Sequence, residues 1–158
     1  MSFVRSVDPA AAKNHWIATW SDGVLKDVRP IAVTCTRYVV GPSDIIVIED
    51  QYPGLNMKSV MGLCKAAGHL VAALDRSIDQ VVWVQPRDWK YKLCGGSAPK
   101  PKGGLGAFPS YSVHRQNLGR LSDESMVVYN EAVARVTALA EATDLADCVG
   151  LGIVYHDG

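Results

Sequence analysis

No Cys-x-x-Cys pair occurs in the sequence, no uninterrupted apolar run approaches the roughly 18–20 residues of a membrane span, and the formal net charge is zero. Each absence closes a class. The four cysteines, Cys35, Cys64, Cys94 and Cys148, are scattered and mostly in apolar contexts, which argues against zinc or a disulfide framework and for buried thiols. Met1 to Val7 leads into strand-like sequence without the apolar core of a secretory signal, so the cytoplasm is the default location. No internal repeat is visible. The 158 residues suit one compact domain over 1–158. With 48% hydrophobic and 20% charged residues, large-scale disorder is excluded as well.

A zero net charge speaks against nucleic-acid binding only if the charges are evenly spread, and they are not. From Arg87 to Arg120 seven basic residues (Arg87, Lys90, Lys92, Lys100, Lys102, Arg115 and Arg120) face a single acid, Asp88, a local excess of six. One face of an otherwise neutral protein is therefore suited to phosphate.

Residues 3–7 read as a strand that stops at Asp8-Pro9, because proline lacks the amide that continues a ladder. Residues 15–20 and 24–28 flank Ser21-Asp22-Gly23 and read as a hairpin. Ile31 to Val40 is extended in character, and Gly41-Pro42-Ser43 breaks it. Ile45-Ile46-Val47-Ile48 is the continuous apolar run of a strand covered on both faces, ending in Glu49-Asp50. The spacing of Val60, Leu63, Cys64, Ala67, Leu70, Val71 and Leu74 predicts a helix over about 56–76, and residues 81–84 a further, parallel strand. From about 93 to 120, glycines and prolines predict a mobile basic loop. Ser122 caps a helix to about 141, and Thr143 a last one through 155, on which Asp144 and Asp147 share a face.

Four acids thus have informative addresses. Asp8 ends the first strand, Glu49 ends the central apolar strand, and Asp144 and Asp147 stand together on the last helix. Singly, each reads as a solvated surface acid. Together they can meet at one edge of the sheet, where four carboxylates repel unless hard cations sit among them. The four histidines, His15, His69, His114 and His156, show no ligand spacing and read as structural or solvated.

The run VRSVDP with its hairpin, DIIVIEDQY followed by a helix, and ATDLADCVGLGIVY at the end resemble the RuvC-type Holliday junction resolvases of the RNase H-like superfamily. The resemblance spans most of the chain and is strongest around Glu49 and the Asp-Leu-Ala-Asp ending. It implies an α/β fold with a central mixed five-stranded sheet, an antiparallel meander plus parallel strands, flanked by helices. It also implies catalytic, metal-binding roles for Asp8, Glu49, Asp144 and Asp147, and a role at the junction centre for Tyr52, three residues after the strand-end glutamate. The helix after Glu49 resembles the one that the family uses in its dimer. Ala10 stands where glycine is usual, and the segment between the hairpin and the glutamate strand is shorter. So compact and diverged a member fits a bacteriophage or other mobile-element resolvase, which would work in the cytoplasm of a bacterial host.

Such a site would hold two Mg²⁺ ions, with Mn²⁺ as substitute, about 4 Å apart, activating water on one side of a phosphodiester and stabilising the leaving oxygen on the other. Asp8 is the expected bridging ligand. The resemblance implies 5′-phosphate and 3′-hydroxyl products, and two symmetric nicks in a four-way DNA junction call for a homodimer. Arg87, Lys90, Lys92, Lys100, Lys102, Arg115 and Arg120 are expected to grip backbone phosphates, and Tyr52 to stack on an unpaired base. Trp16, Trp20, Trp83 and Trp89 read as core or sheet-face residues, with Trp89, beside Lys90, the one placed to reach DNA. Two alternatives stay open: a nuclease of this fold acting on flaps, forks or RNA, and a non-catalytic branched-DNA binding module. An actin-like ATPase is excluded by the chain length and the lack of glycine-rich phosphate loops.

Overall fold

The computed structural model describes residues 2–50 and 56–158. Among these, β1 (Val4–Asp8), β2 (Asn14–Ser21), β3 (Val24–Ala32), β4 (Ile45–Glu49) and β5 (Val82–Val84) form one mixed sheet in the order β3-β2-β1-β4-β5. The first three strands make the expected antiparallel meander, and β4 and β5 add in parallel beyond β1. Asp22 and Gly23, at φ 49° and 77°, close the hairpin with the two left-handed residues that match the twist of the flanking strands.

Alternation along the strands sends successive side chains to opposite faces. Val7, Ile17, Ile46 and Ile48 form one core with Leu70, Val71 and Leu74, at the end of α1 (Met57–Ala73), which Asn56 caps by accepting from the Ser59 amide. Only the second half of α1 is buried: Met57, Met61 and Cys64 are exposed. Ser6, Asp8, Val47 and Glu49 take the alternate positions and face α5 (Leu139–Asp157), which is apolar around most of its circumference and, Asp144 apart, buried from Ala142 to Ile153, as such a helix must be. It is sandwiched between the sheet and the pair α2 (Pro86–Cys94) and α3 (Ser112–Arg120). Gly150 and Gly152 allow the close approach. A β-carbon at Gly152 would lie 2.4 Å from the Trp20 ring, and one at Gly150 2.9 Å from Trp89. Helix α4 (Asp123–Ala134), capped by Ser122, packs on β3.

Helix α5 runs antiparallel to β1. Asp147 lies beside Asp8, the Cys148 carbonyl accepts from the Ser6 hydroxyl at 2.7 Å, and Gly152 meets Trp20, whose strand partner is Val4. The Trp20 indole N–H in turn donates to Ser6 Oγ at 2.9 Å.

Several expectations are corrected. The segment 93–120 is without helix only over 95–104 and at Tyr111: α2 extends to Cys94, a 3₁₀ helix covers Leu105–Ser110 and α3 follows. The glycines and prolines fall mostly between these elements or are absorbed by the 3₁₀ turns, which take in Pro109. Strand β3 ends at Ala32, so residues 33–40 are not a strand, and α4 ends at Ala134. Thr143 does not cap α5. The helix starts four residues earlier, and the Thr143 hydroxyl donates back to the Ala140 carbonyl at 2.8 Å. Of the four thiols only Cys148 is buried, Cys64 being exposed and the other two intermediate. Among the described residues, no helix is long and apolar enough to cross a membrane.

Candidate metal centre

The carboxyl ends of β1 and β4 lie side by side because the two strands are parallel and in register, Val4 with Ile45 through Val7 with Ile48. Asp8 and Glu49 therefore emerge at one sheet edge, on the face that α5 covers. Two turns into α5, Asp144 and Asp147 are three residues apart and so project together. Asp8, Asp144 and Asp147 each offer an oxygen within 4.8 Å of the others'. Glu49 stands beside this triplet without belonging to it. Its Oε2 accepts from the Trp89 indole N–H at 2.7 Å.

Burial and mutual repulsion act in the same direction here. Burial, then the charges of Glu49, Asp147 and Asp144, hold Asp8 well above the usual carboxylate range. Burial and then Asp147 push Glu49 up to about 7, against the pull of Lys90, Trp89 and Lys100. Asp147 is raised by burial, with Lys90, Lys100 and Tyr111 opposing. Among the described residues, Asp8 Oδ2 is fully buried with no hydrogen-bond partner. An orphaned carboxylate oxygen is costly in a protein interior, and a cation is what would complete it. An all-oxygen set of this kind suits hard divalent ions such as Mg²⁺ or Mn²⁺, so the residues fit the ion.

Two lysines already stand at this cluster. Lys100 Nζ lies 2.7 Å from Asp144 Oδ1 and 3.9 Å from Asp147 Oδ2, and Lys90 Nζ lies 3.7 Å from Asp147 Oδ2. Desolvation works against the Lys100 charge, but Asp147, Asp8 and Asp144 outweigh it and raise its pKa. Both residues, expected on phosphates, are thus ion-paired at the carboxylates.

The other basic residues are spread out. Arg87 and Lys92 are exposed on α2 around Tyr91, itself 63% exposed. Lys102 is exposed in the 95–104 segment and Arg115 on α3. Arg120 donates to the Leu93 carbonyl at 2.9 Å and pairs with Asp157 at 3.5 Å, thirteen residues or about 20 Å along α5 from Asp144. Tyr52 lies outside the described residues. Trp89 is fully buried against the cluster, so the aromatic that α2 exposes is Tyr91. Sequence reasoning missed Tyr111 altogether. Its hydroxyl donates to Asp147 Oδ1 at 2.6 Å across 36 residues of chain, a pairing that no local spacing announces.

No protein-family model matches the chain, and no curated protein matches its sequence. Among solved structures it is similar to Thermus thermophilus RuvC in complex with a Holliday junction substrate, at 16% identity and a TM-score of 0.48 over 92% of this chain and 91% of that one. A second Thermus thermophilus RuvC structure is similar at 15% identity and a TM-score of 0.42, over 92% of each chain.

Proposed function

We propose that this chain is a divalent-metal-dependent endonuclease that cuts branched DNA, four-way junctions above all, by paired nicks leaving 5′-phosphate and 3′-hydroxyl ends. The observation that carries the metal-centre part is the convergence of Asp8, Asp144 and Asp147 within 4.8 Å around a buried, unpartnered Asp8 oxygen. A surface cluster held for solubility has no need to bury an acid in that state. Junction preference is inferred from the motifs around Glu49 and in Asp-Leu-Ala-Asp.

Asp8, Asp144 and Asp147, with Glu49 beside them, are the residues that would hold Mg²⁺ or Mn²⁺, two ions in a complete site. The metal, when bound, supplies Lewis acidity and a more acidic water. The chain itself contributes placement. Trp89 orients Glu49 by its indole N–H, and Tyr111 orients Asp147. Burial on the α5 side keeps bulk water from screening these charges. Lys90 and Lys100 neutralise part of the cluster before metal arrives, and in this reading their ammonium groups pass to an incoming phosphate once it has. Arg87, Lys92, Lys102 and Arg115 add exposed positive charge, and Tyr91 an aromatic face, for backbone and base contact. The reading includes Tyr52 at the junction centre, a homodimer cutting both strands, a role in recombination or repair, and a phage or mobile-element origin.

One observation favours a second reading, a binding module without catalysis: the lysines already relieve part of the carboxylate repulsion that would otherwise demand a metal. The deciding experiment uses a labelled four-way junction, a linear duplex and a flap, with the unaltered protein and Asp8→Asn, with and without Mg²⁺ or Mn²⁺. Symmetric, metal-dependent nicking of the junction, absent in the variant, is expected. Cutting mainly of the other substrates removes the junction role, and binding without cutting in either metal selects the binding module.

A further inference from the structure

Asp147 is 1% exposed, and its two oxygens have different neighbours. Oδ1 accepts the short bond from Tyr111 Oη, while Oδ2 is the oxygen near the ammonium groups of Lys90 and Lys100. Tyr111 is not free to swing away. It is 1% exposed, its amide donates to the Phe108 carbonyl at 2.9 Å, and its carbonyl accepts the Arg115 amide at 3.0 Å in the first turn of α3. The phenol is thus fixed from the backbone outward, and it engages one of the two oxygens of Asp147.

That asymmetry bears on which cation the centre accepts. Mg²⁺ and Mn²⁺ take six ligands at short distance, with one oxygen from each carboxylate, whereas Ca²⁺ is larger, takes six to eight oxygens and readily draws both from one carboxylate. We propose that Tyr111 is a positioning residue that holds Asp147 to one-oxygen ligation and so makes the centre discriminate against large divalent cations. The inference rests on the metal-centre reading above, and with it on the buried, unpartnered Asp8 oxygen. Tyr111 needs no contact with DNA or metal for this role. It acts through Asp147.

The test is calorimetric titration of the full chain with Mn²⁺ and, separately, Ca²⁺, for the unaltered protein and Tyr111→Phe, with metal-free melting as a check on folding. Loss of an outer hydrogen bond to a ligand weakens metal binding by about 10-fold or more, so Mn²⁺ affinity is expected to fall. Ca²⁺ affinity is expected to hold or rise as Asp147 regains its second oxygen, shifting the Mn²⁺/Ca²⁺ preference by about 10-fold. An unchanged preference, with the unaltered protein binding Mn²⁺, overturns the role of Tyr111 and leaves the metal centre standing. Binding of neither cation by the unaltered protein overturns both. If Tyr111→Phe does not fold, infrared difference spectra of the unaltered protein decide, with the Asp147 band assigned through Asp147→Asn. A wide separation of its two carboxylate stretches in Mg²⁺ supports one-oxygen ligation, and a narrow one overturns it.

Discussion

Asp44 and Asp8 are equally buried, at 6% and 5% exposed, and sit at opposite ends of the same pair of parallel strands, yet the chain treats them in opposite ways. Asp44 is satisfied by the amides of Phe3 and Gly41, each at 2.9 Å, and by the Arg5 guanidinium at 3.1 and 3.2 Å. Burial works against its charge, but these donors prevail and lower its pKa. Asp8 has an oxygen with no donor among the described residues, and three further acids around it. One aspartate completes a structure; the other is left incomplete by it. The difference puts unsatisfied charge at the carboxyl ends of β1 and β4 and satisfied charge at their amino ends.

The largest effects should come from exchanging each acid for its amide. Asp8→Asn is expected to remove metal-dependent cleavage by roughly three powers of ten or more, since several kcal/mol of Lewis-acid stabilisation go with it. Its metal-free melting temperature is expected to rise, because a repelling charge is gone. Asp44→Asn should do the reverse, lowering stability by about 3–5 kcal/mol through the stranded Arg5 with cleavage per folded molecule unchanged. A thermal melt beside a cleavage assay reads both, and the contrast breaks if Asp8→Asn destabilises the metal-free chain.

Opposite pH dependences follow next. Glu49 has a folded pKa of about 7 against 4.5 unfolded, so the folded state binds more protons between those values and the contribution of this group falls as pH rises through that window. Asp8, also raised, adds in the same sense. Asp44, whose folded pKa is lowered, contributes stability above its unfolded value that is lost as pH falls through the folded one. Metal must displace the proton on Glu49, so through this group the apparent Mn²⁺ affinity should improve by up to about 10-fold per pH unit below about 7, with Asp8, also raised, adding in the same sense. Calorimetry across that range checks the sign.

Smaller effects sharpen the picture at its cationic side. Lys100→Met removes an ammonium group from the position a metal would take. Metal affinity should rise by up to about fivefold, in keeping with the ~0.2–1 kcal/mol of a partly exposed ion pair. Unchanged affinity would mean that the lysine does not compete with metal. Least of all, Arg87→Ala should lower the slope of junction binding against salt by about 1, without altering metal affinity.

The strand-end acids were legible because two simple periods place them: alternation along β1 and β4 sends Asp8 and Glu49 to one face, and a spacing of three puts Asp144 beside Asp147. The antiparallel meander followed from the hairpin, and the covered position of β4 from its continuous apolar run, while the five-stranded mixed sheet was implied by the resemblance. What stayed hidden depends on long returns of the chain. Lys90 and Lys100 carry the charge expected of phosphate ligands, and nothing local shows that α2 and the following segment fold back onto α5. Tyr111 lies in a stretch whose glycines and prolines suggested a loop, although 3₁₀ turns accommodate them and α3 begins at once. The start of α5 was misplaced because Ala138 offers no side-chain cap, while Thr143, a good one, is spent on a bond back to Ala140.

The Ser6 hydroxyl, held between the Trp20 indole and the Cys148 carbonyl, works as a detent for the last helix. The same notch sets the cluster: Asp147 is the residue before Cys148, so the bond that seats the helix on β1 also fixes that aspartate beside Asp8.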